Sequence, residues 1–94
     1  MSVYVDDWRQ RATVRGISSR WSHLTADTTE ELHAFAGRLG LPRRAFQSKP
    51  GKPVFDHYDV TEELRERAIS LGAIPLTWRD AARLRKGRYQ IPGG

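Results

Sequence analysis

The sequence contains no cysteine, so disulfide bonds and thiolate metal sites are excluded. It also has no apolar run of about 18 residues, the length of a membrane-spanning helix, and no signal-peptide pattern at its start. We therefore expect a cytoplasmic protein without a membrane partner.

Apolar residues are scarce, at 38% of a 94-residue chain. A chain of this length is expected to form one domain, residues 1–94, and to bury only about 60 to 68% of the surface of its unfolded form. The core should therefore be thin. A homodimer that shares apolar surface would enlarge it, so a second copy of the chain is one candidate partner.

The net charge of +5 is concentrated near the C-terminus. Five cations and a single anion lie between Arg79 and Arg88, a local excess of +4, and all other residues together contribute +1. Residues 78–94 are therefore expected to form a basic helix and tail. Arg79, Arg83 and Lys86 recur at positions i, i+4 and i+7, a basic face that attracts phosphates without reading base sequence.

Residues 21–33 show the clearest structural pattern, a strand that runs into a helix. Thr28 lies at the N-cap position and Glu31 follows three residues later, which fits a capping box. His23 and Asp27 lie near this junction, where binding sites collect in open α/β sheets. The helical spacing predicts an apolar face formed by Leu32, Phe35, Ala36 and Leu39.

Two further strands carry ligand-type side chains. Residues 3–7 form a short alternating strand that ends in Asp6 and Asp7, a pair that could bind a cation or simply end the strand. In the strand that contains His57, period-two geometry puts this residue and Asp59 on the same face. The His-x-Asp pair could bind a metal or orient a catalytic imidazole, or it could be a polar strand end before the next helix.

The remaining segments and the third histidine look like surface features. Residues 8–19 interleave arginines with a glycine and small polar residues, so we expect a flexible basic connection. Residues 41–53 contain three prolines and four cations and are expected to form a basic loop. Its Arg43 and Arg44 suit a phosphate-bearing ligand, or they solubilise the surface. His33 is interpreted as a surface histidine.

The order of the elements predicts the fold class. The patterns run strand, strand, helix, loop, strand, helix, strand and helix, and the last two helices begin near Thr61 and Thr77. This alternation favours a small α/β domain. We expect a three- to four-stranded, partly parallel sheet with two to three helices.

A set of short motifs follows one order along the chain: Val3-Tyr-Val-Asp-Asp7, His23-Leu-Thr-Ala-Asp-Thr28 with Glu31-Leu32, Gln47, His57-Tyr-Asp59, Arg67-Ala68, Gly72-Ala73 and Thr77-Trp-Arg79. The set, spanning residues 3–79, resembles the bacterial and phage family called domain of unknown function 4031. The resemblance implies a bacterial or phage cytoplasmic origin and a common arrangement of the Asp, His and His-x-Asp motifs. It implies no activity, because none is assigned to the family. The basic segment after Arg79 lies outside the resemblance.

Composition and charge favour a non-catalytic module that binds nucleic acid or a partner protein. The basic segment and the basic loop would make the contact, and binding to nucleic acid would weaken steeply with salt. The Asp and His side chains would then form a buried hydrogen-bonded network that stabilises the fold. Such a network should be dry and paired internally.

The alternative is a metal-dependent hydrolase that acts on a phosphate ester in a nucleotide or nucleic acid. Its His and Asp side chains should converge in a cleft open to solvent. A mixed nitrogen and oxygen ligand set suits Mn, Zn, Fe or Ni better than Mg. Asp27 would act as general base, and Arg43 or Arg44 would neutralise the phosphate charge. Two histidines and one carboxylate would bind the ion, drawn from Asp6, His23, His57 and Asp59.

Overall fold

Two long strands form the centre of the structure, a computed structural model that describes residues 2–86 except for the side chains of residues 53 and 54. The predicted C-terminal tail, from residue 87 onward, lies outside the described residues. In chain order the elements are β1 Val3–Val5, β2 Gln10–Val14, β3 Ile17–Ala26, α1 Thr29–Arg38, a 3-10 helix Arg43–Ala45, β4 Phe46–Lys49, β5 Lys52–Thr61, α2 Glu62–Ser70, β6 Ile74–Pro75 and α3 Trp78–Arg85.

The described strands form one six-stranded mixed sheet with the order β4-β5-β3-β1-β6, and β2 also pairs with β3. β5 lies along one edge of β3, and β2 and β1 lie one after the other along the opposite edge. Within residues 2–86 the β1–β6 pairing is parallel and the others are antiparallel. The predicted α/β class is confirmed, and the three helices agree with the predicted two to three. The predicted three to four strands were too few, because the described residues form six.

The first missed strand is β2, which falls in the segment predicted to be a flexible connection. β2 and β3 form a hairpin through a two-residue turn, Arg15 and Gly16. Both residues have positive φ, 49° and 78°, as a type I′ turn requires. The prediction failed because the β2 side chains are almost all exposed, so the apolar alternation of a half-buried strand is absent.

The second missed strand is β4, in the segment predicted to be a basic loop. It forms a hairpin with β5 that turns at Pro50 and Gly51. Phe46 packs against the core, but the other three β4 residues are exposed, so the strand again lacks an apolar alternation.

All three helices begin after a threonine, as predicted. Thr28, Thr61 and Thr77 each accept a hydrogen bond, through the side chain, from the backbone N–H three residues later. The predicted starts of the three helices therefore agree with the structure. Helix boundaries were predictable because the capping signal is local in sequence.

The core lies between one face of the sheet and helices α1 and α2. Leu24 and Val60 of the sheet have no exposed surface, and they pack in one cluster with Leu32 and Ala36 of α1 and Ala68 of α2. Helix α3 lines a cleft with Tyr4 and His23, which alternate with the core residues Val5 and Leu24 and therefore project from the opposite face of the sheet. None of the helices in the described part of the chain is long and apolar enough to cross a membrane.

Candidate metal centre

The pairing of β3 with β5 brings three of the predicted ligands together. His23 lies directly opposite Asp59 in the antiparallel register, and His57 lies two residues from Asp59, so all three side chains project from the same face. One ligand atom from each lies within 4.8 Å of the other two. Their side chains are 28%, 26% and 19% exposed for His23, His57 and Asp59. The group is therefore open to solvent, unlike a dry structural network.

Asp6 orients the His23 ring. Nδ1 of His23 donates a hydrogen bond to Oδ2 of Asp6 at 2.7 Å, and Oδ1 of Asp6 accepts from the backbone N–H groups of His23 and Trp8. Burial raises the pKa of Asp6, but the hydrogen bonds from His23 and Trp8 outweigh it and hold the pKa below its usual value. With Nδ1 committed to the carboxylate, Nε2 is the ring atom left to bind a ligand.

His57 has the same tautomer for a similar reason. Its Nδ1 lies 2.7 Å from the carbonyl oxygen of Phe55, which can only accept, so Nδ1 carries the proton. Its Nε2 lies 3.5 Å from Oδ1 of Asp59. Burial lowers the pKa of His57, but Asp59 and the Phe55 carbonyl raise it by more, so the pKa lies above its usual value. A cation held here would take the place of the Nε2 proton.

Gln47 of β4 fixes the third ligand. Its Nε2 donates a hydrogen bond to Oδ2 of Asp59, which leaves Oδ1 directed at His57. Burial raises the pKa of Asp59, but the contacts with His57 and Gln47 lower it more, so the carboxylate stays ionised. The register of β4 against β5 creates this contact, because Gln47 pairs with His57.

A cleft of about 370 Å³ reaches one of the three ligands, His23, whereas His57 and Asp59 are not among its lining residues. Asp6 and His23 line it on the sheet side, and Ala81, Leu84 and Arg85 line it on the α3 side. Arg85 is therefore the described cation placed to meet an anionic ligand in the cleft. Arg85 was not among the predicted cations, because it lies off the i, i+4, i+7 face formed by Arg79, Arg83 and Lys86.

Trp8 is a second residue that the sequence analysis missed. Its indole ring lies 4.9 Å from the ring of His23, with 32° between the two planes, and the residue is 41% exposed. Nothing in the sequence around Trp8 indicated this contact, since it depends on the turn between β1 and β2. The tryptophan therefore forms one wall beside the His23 ligand.

Two predicted acidic residues have other partners. Oδ1 of Asp7 accepts a hydrogen bond from the backbone N–H of Trp78, at the start of α3. Asp27 lines the cleft, but its two oxygens accept from the hydroxyl of Tyr4 at 2.6 Å and from the backbone N–H of Ser2 at 2.8 Å. Among residues 2–86, neither belongs to the group of converging ligand atoms. A role for Asp27 as general base stays a prediction.

The predicted phosphate-binding cations do not line the cleft. Arg43 and Arg44 are exposed in the 3-10 helix and are not among the cleft-lining residues. On α3, Arg79, Arg83 and Lys86 are also exposed.

His33 is not the surface residue that the sequence analysis predicted. It is half-buried, its Nδ1 is hydrogen-bonded to the hydroxyl of Tyr58 at 2.7 Å, and its ring lies 4.5 Å from that of Phe46. Burial lowers its pKa, and the positive charge of Arg43 lowers it further. The prediction failed because Phe46 and Tyr58 reach His33 from other elements.

Comparison with known proteins identifies a family but no activity. No curated protein and no solved structure gives a significant match. A family model described as "Protein of unknown function (DUF4031)" matches residues 3–88. The match continues past Arg79 through α3, so it includes most of the basic segment that the sequence motifs had left outside. Because it covers nearly the whole chain, the protein belongs to the DUF4031 family.

Proposed function

We propose that the protein binds a divalent transition metal through His23, His57 and Asp59 and uses it to hydrolyse a phosphate ester. The observation that carries the proposal is the convergence of three ligand atoms within 4.8 Å in side chains that are 19 to 28% exposed. A structural hydrogen-bond network would instead be closed to solvent. Convergence beside an open cleft is the feature expected of a hydrolase.

The ligand set supports a catalytic type of site. Two imidazole nitrogens and one carboxylate oxygen suit Zn, Mn, Fe or Ni. Catalytic zinc sites have three protein ligands and leave the fourth position to water or substrate. A metal in such a site lowers the pKa of its bound water to about 7 and polarises a phosphoryl oxygen.

The surrounding side chains support a phosphate-bearing substrate. Arg85 lines the cleft, and an arginine can bind a phosphate through two parallel hydrogen bonds. Asp6 and Gln47 would hold His23 and Asp59 in place as the ion binds. Asp27, the candidate general base, lines the same cleft.

The first test is metal binding by the purified full-length protein without a tag. We expect about one Zn²⁺ or Mn²⁺ per chain by mass spectrometry and calorimetry, and loss of binding in His23→Ala, His57→Ala and Asp59→Asn. His33→Gln is the matched control, because it removes the remaining histidine from outside the site. Absence of binding in the wild type, or equal loss in the control, would overturn the proposed site.

The second test separates metal binding from hydrolysis. Chromogenic phosphomonoesters and phosphodiesters are incubated with the metal-loaded wild type and with Arg85→Gln. We expect metal-dependent release of the chromophore, and a higher KM for Arg85→Gln with unchanged metal content. If the metal-loaded protein hydrolyses none of these esters, the proposed metal site stands but the proposed hydrolase activity is wrong.

A second candidate function is a non-catalytic module that binds nucleic acid or a protein. It is favoured by the exposed cations of α3, Arg79, Arg83 and Lys86. If α3 makes a nucleic-acid contact, replacing Arg83 and Lys86 by neutral residues should reduce the salt dependence of binding. An unchanged salt dependence would remove α3 from this role.

A further inference from the structure

The hairpin of β2 and β3 extends beyond the rest of the sheet. β5 pairs with β3 only from Trp21 onward, so residues 17–20 of β3 pair with β2 alone. We call residues 10–20 the basic ribbon. Nearly all of its residues are exposed; Val14 and Ser19 are half-buried. Because its residues are exposed, the ribbon gains little stability from core packing. A two-stranded hairpin is only marginally stable by itself.

The basic ribbon carries positive charge without counter-ions. It contains Arg11, Arg15 and Arg20, and no acidic residue occurs between residues 8 and 26. Arg9, just before the ribbon, pairs with Glu62 at 2.7 Å, but none of the three ribbon arginines has a carboxylate within 4.0 Å in the described structure.

Two features of the ribbon oppose its own stability. Arg11 and Arg20 are directly opposite each other in the register, so two like charges lie side by side on the same face. Arg15, at the tip, has a φ of 49°, a conformation in which type I′ turns favour Asn, Asp or Gly. Both features keep a cation exposed where stability alone would favour another residue.

We propose that the basic ribbon binds the phosphate backbone of duplex DNA. A two-stranded β-ribbon has the dimensions that the major groove of B-DNA admits. Arginine binds phosphate bidentately, which a lysine cannot do. Thr13 and Ser18 form the next pair on the same face, towards the turn, with their hydroxyl oxygens 2.8 Å apart. Hydroxyl groups are common donors to phosphate.

The α3 surface is a weaker candidate for the same contact. Arg83 is 3.3 Å from Oδ1 of Asp80, and the guanidinium of Arg79 lies 5.3 Å from the ring of Trp78. These cations therefore already have partners within the helix. The ribbon arginines would gain more from a phosphate, because no described carboxylate neutralises them.

The ribbon is also separate from the metal centre. Arg20 is an odd number of residues from His23 along β3, so the two side chains project from opposite faces. The ribbon therefore goes beyond the proposed hydrolase and does not depend on it. Loss of either function can be measured without loss of the other.

The test is the affinity of the full chain for a fluorescein-labelled duplex DNA, measured by anisotropy over a series of KCl concentrations. The logarithm of the association constant should fall linearly with the logarithm of salt concentration. In Arg11→Thr/Arg20→Thr the slope should decrease by about 0.9 for each phosphate that the variant no longer neutralises. Threonine preserves the β-propensity of both positions.

Two variants provide controls for folding and for charge. Arg15→Asn should weaken DNA binding while the Tm stays the same or rises, because Asn-Gly is a preferred type I′ turn. Arg83→Gln/Lys86→Gln removes the same charge from α3 and should leave the slope unchanged. Metal binding by each ribbon variant should equal that of the wild type.

Three outcomes would overturn the inference. The wild type could fail to bind duplex DNA, or the ribbon and α3 double variants could show the same decrease in affinity, which would indicate net charge alone. Ribbon-dependent binding of polyglutamate or of anionic vesicles, without binding to DNA, would assign the surface to a different partner.

Discussion

Nδ1 of His23 donates a hydrogen bond to the carboxylate of Asp6 across 2.7 Å. Within residues 2–86, Asp6 is the one charged residue that is buried, with 6% of its surface exposed. The same carboxylate accepts two backbone N–H groups, so its position is fixed from β3 and from the turn after β1. A carboxylate held in this way fixes the tautomer of the imidazole and raises its basicity towards a metal.

Asp6→Asn is predicted to weaken Zn²⁺ binding by about 10- to 100-fold, because the amide can present an N–H to Nδ1 and stabilise the wrong tautomer. Calorimetric titration measures the change. Asp7→Asn is the matched control, since it removes a neighbouring carboxylate that contacts the start of α3 instead. Equal losses in both variants would mean that Asp6 acts only through net charge.

Trp8 should report metal binding, because its ring lies 4.9 Å from that of His23. We expect Co²⁺ or Ni²⁺ to quench tryptophan fluorescence until one equivalent has bound. Trp8→Phe should quench less and still bind the metal, with the remaining quenching coming from Trp21, which lies two residues from His23 on the same face of β3. Trp78→Phe should keep it, because Trp78 is exposed at the start of α3. Quenching that is undiminished in Trp8→Phe would place the ion elsewhere.

The hydrogen bond between Tyr4 and Asp27 should be visible in the titration of the tyrosine. The pKa of Tyr4 is raised from 10.0 to about 12, first by burial and then by the hydrogen bond and negative charge of Asp27. Asp27→Asn should therefore lower this pKa, as measured by NMR of the tyrosine ring. Because the folded pKa is the higher one, the stability linked to Tyr4 is complete below pH 10.0 and is lost as the pH rises towards 12. A Tyr4 pKa that does not move in the variant would contradict the assignment.

His33 should make the protein less stable in mild acid. Its pKa in the folded state is lowered below 6.5, mainly by burial and then by Arg43. Protons therefore bind the unfolded chain more readily, and the stability present above pH 6.5 declines as the pH falls through the folded pKa. Tm measured against pH should fall less steeply for His33→Gln than for the wild type, whereas parallel curves would show that His33 is not responsible.

The local features of the fold were predictable because their signals lie within a few residues. The caps at Thr28, Thr61 and Thr77 each depend on a contact three residues along the chain. The shared face of His57 and Asp59 follows from the period of a strand. These features needed no knowledge of which strands are neighbours.

Two strands were not predictable from their own residues. β2 and β4 carry mostly exposed polar side chains, so the hydrophobic pattern that identifies a strand is absent. Their strand conformation depends on pairing with β3 and β5, whose central residues are buried. The structure therefore has six described strands where the pattern indicated three to four.

The sequence by itself determined the residue types of the candidate site, two histidines and several carboxylates at strand ends. Only the tertiary structure decided their roles. The register of β3 against β5 pairs His23 with Asp59, and a shift of one residue would move either side chain to the other face of the sheet. The turn after β1 places Asp6 within hydrogen-bond distance of His23, and the packing of α3 brings Arg85 to the cleft. These contacts join residues far apart in sequence, so no local pattern could assign them.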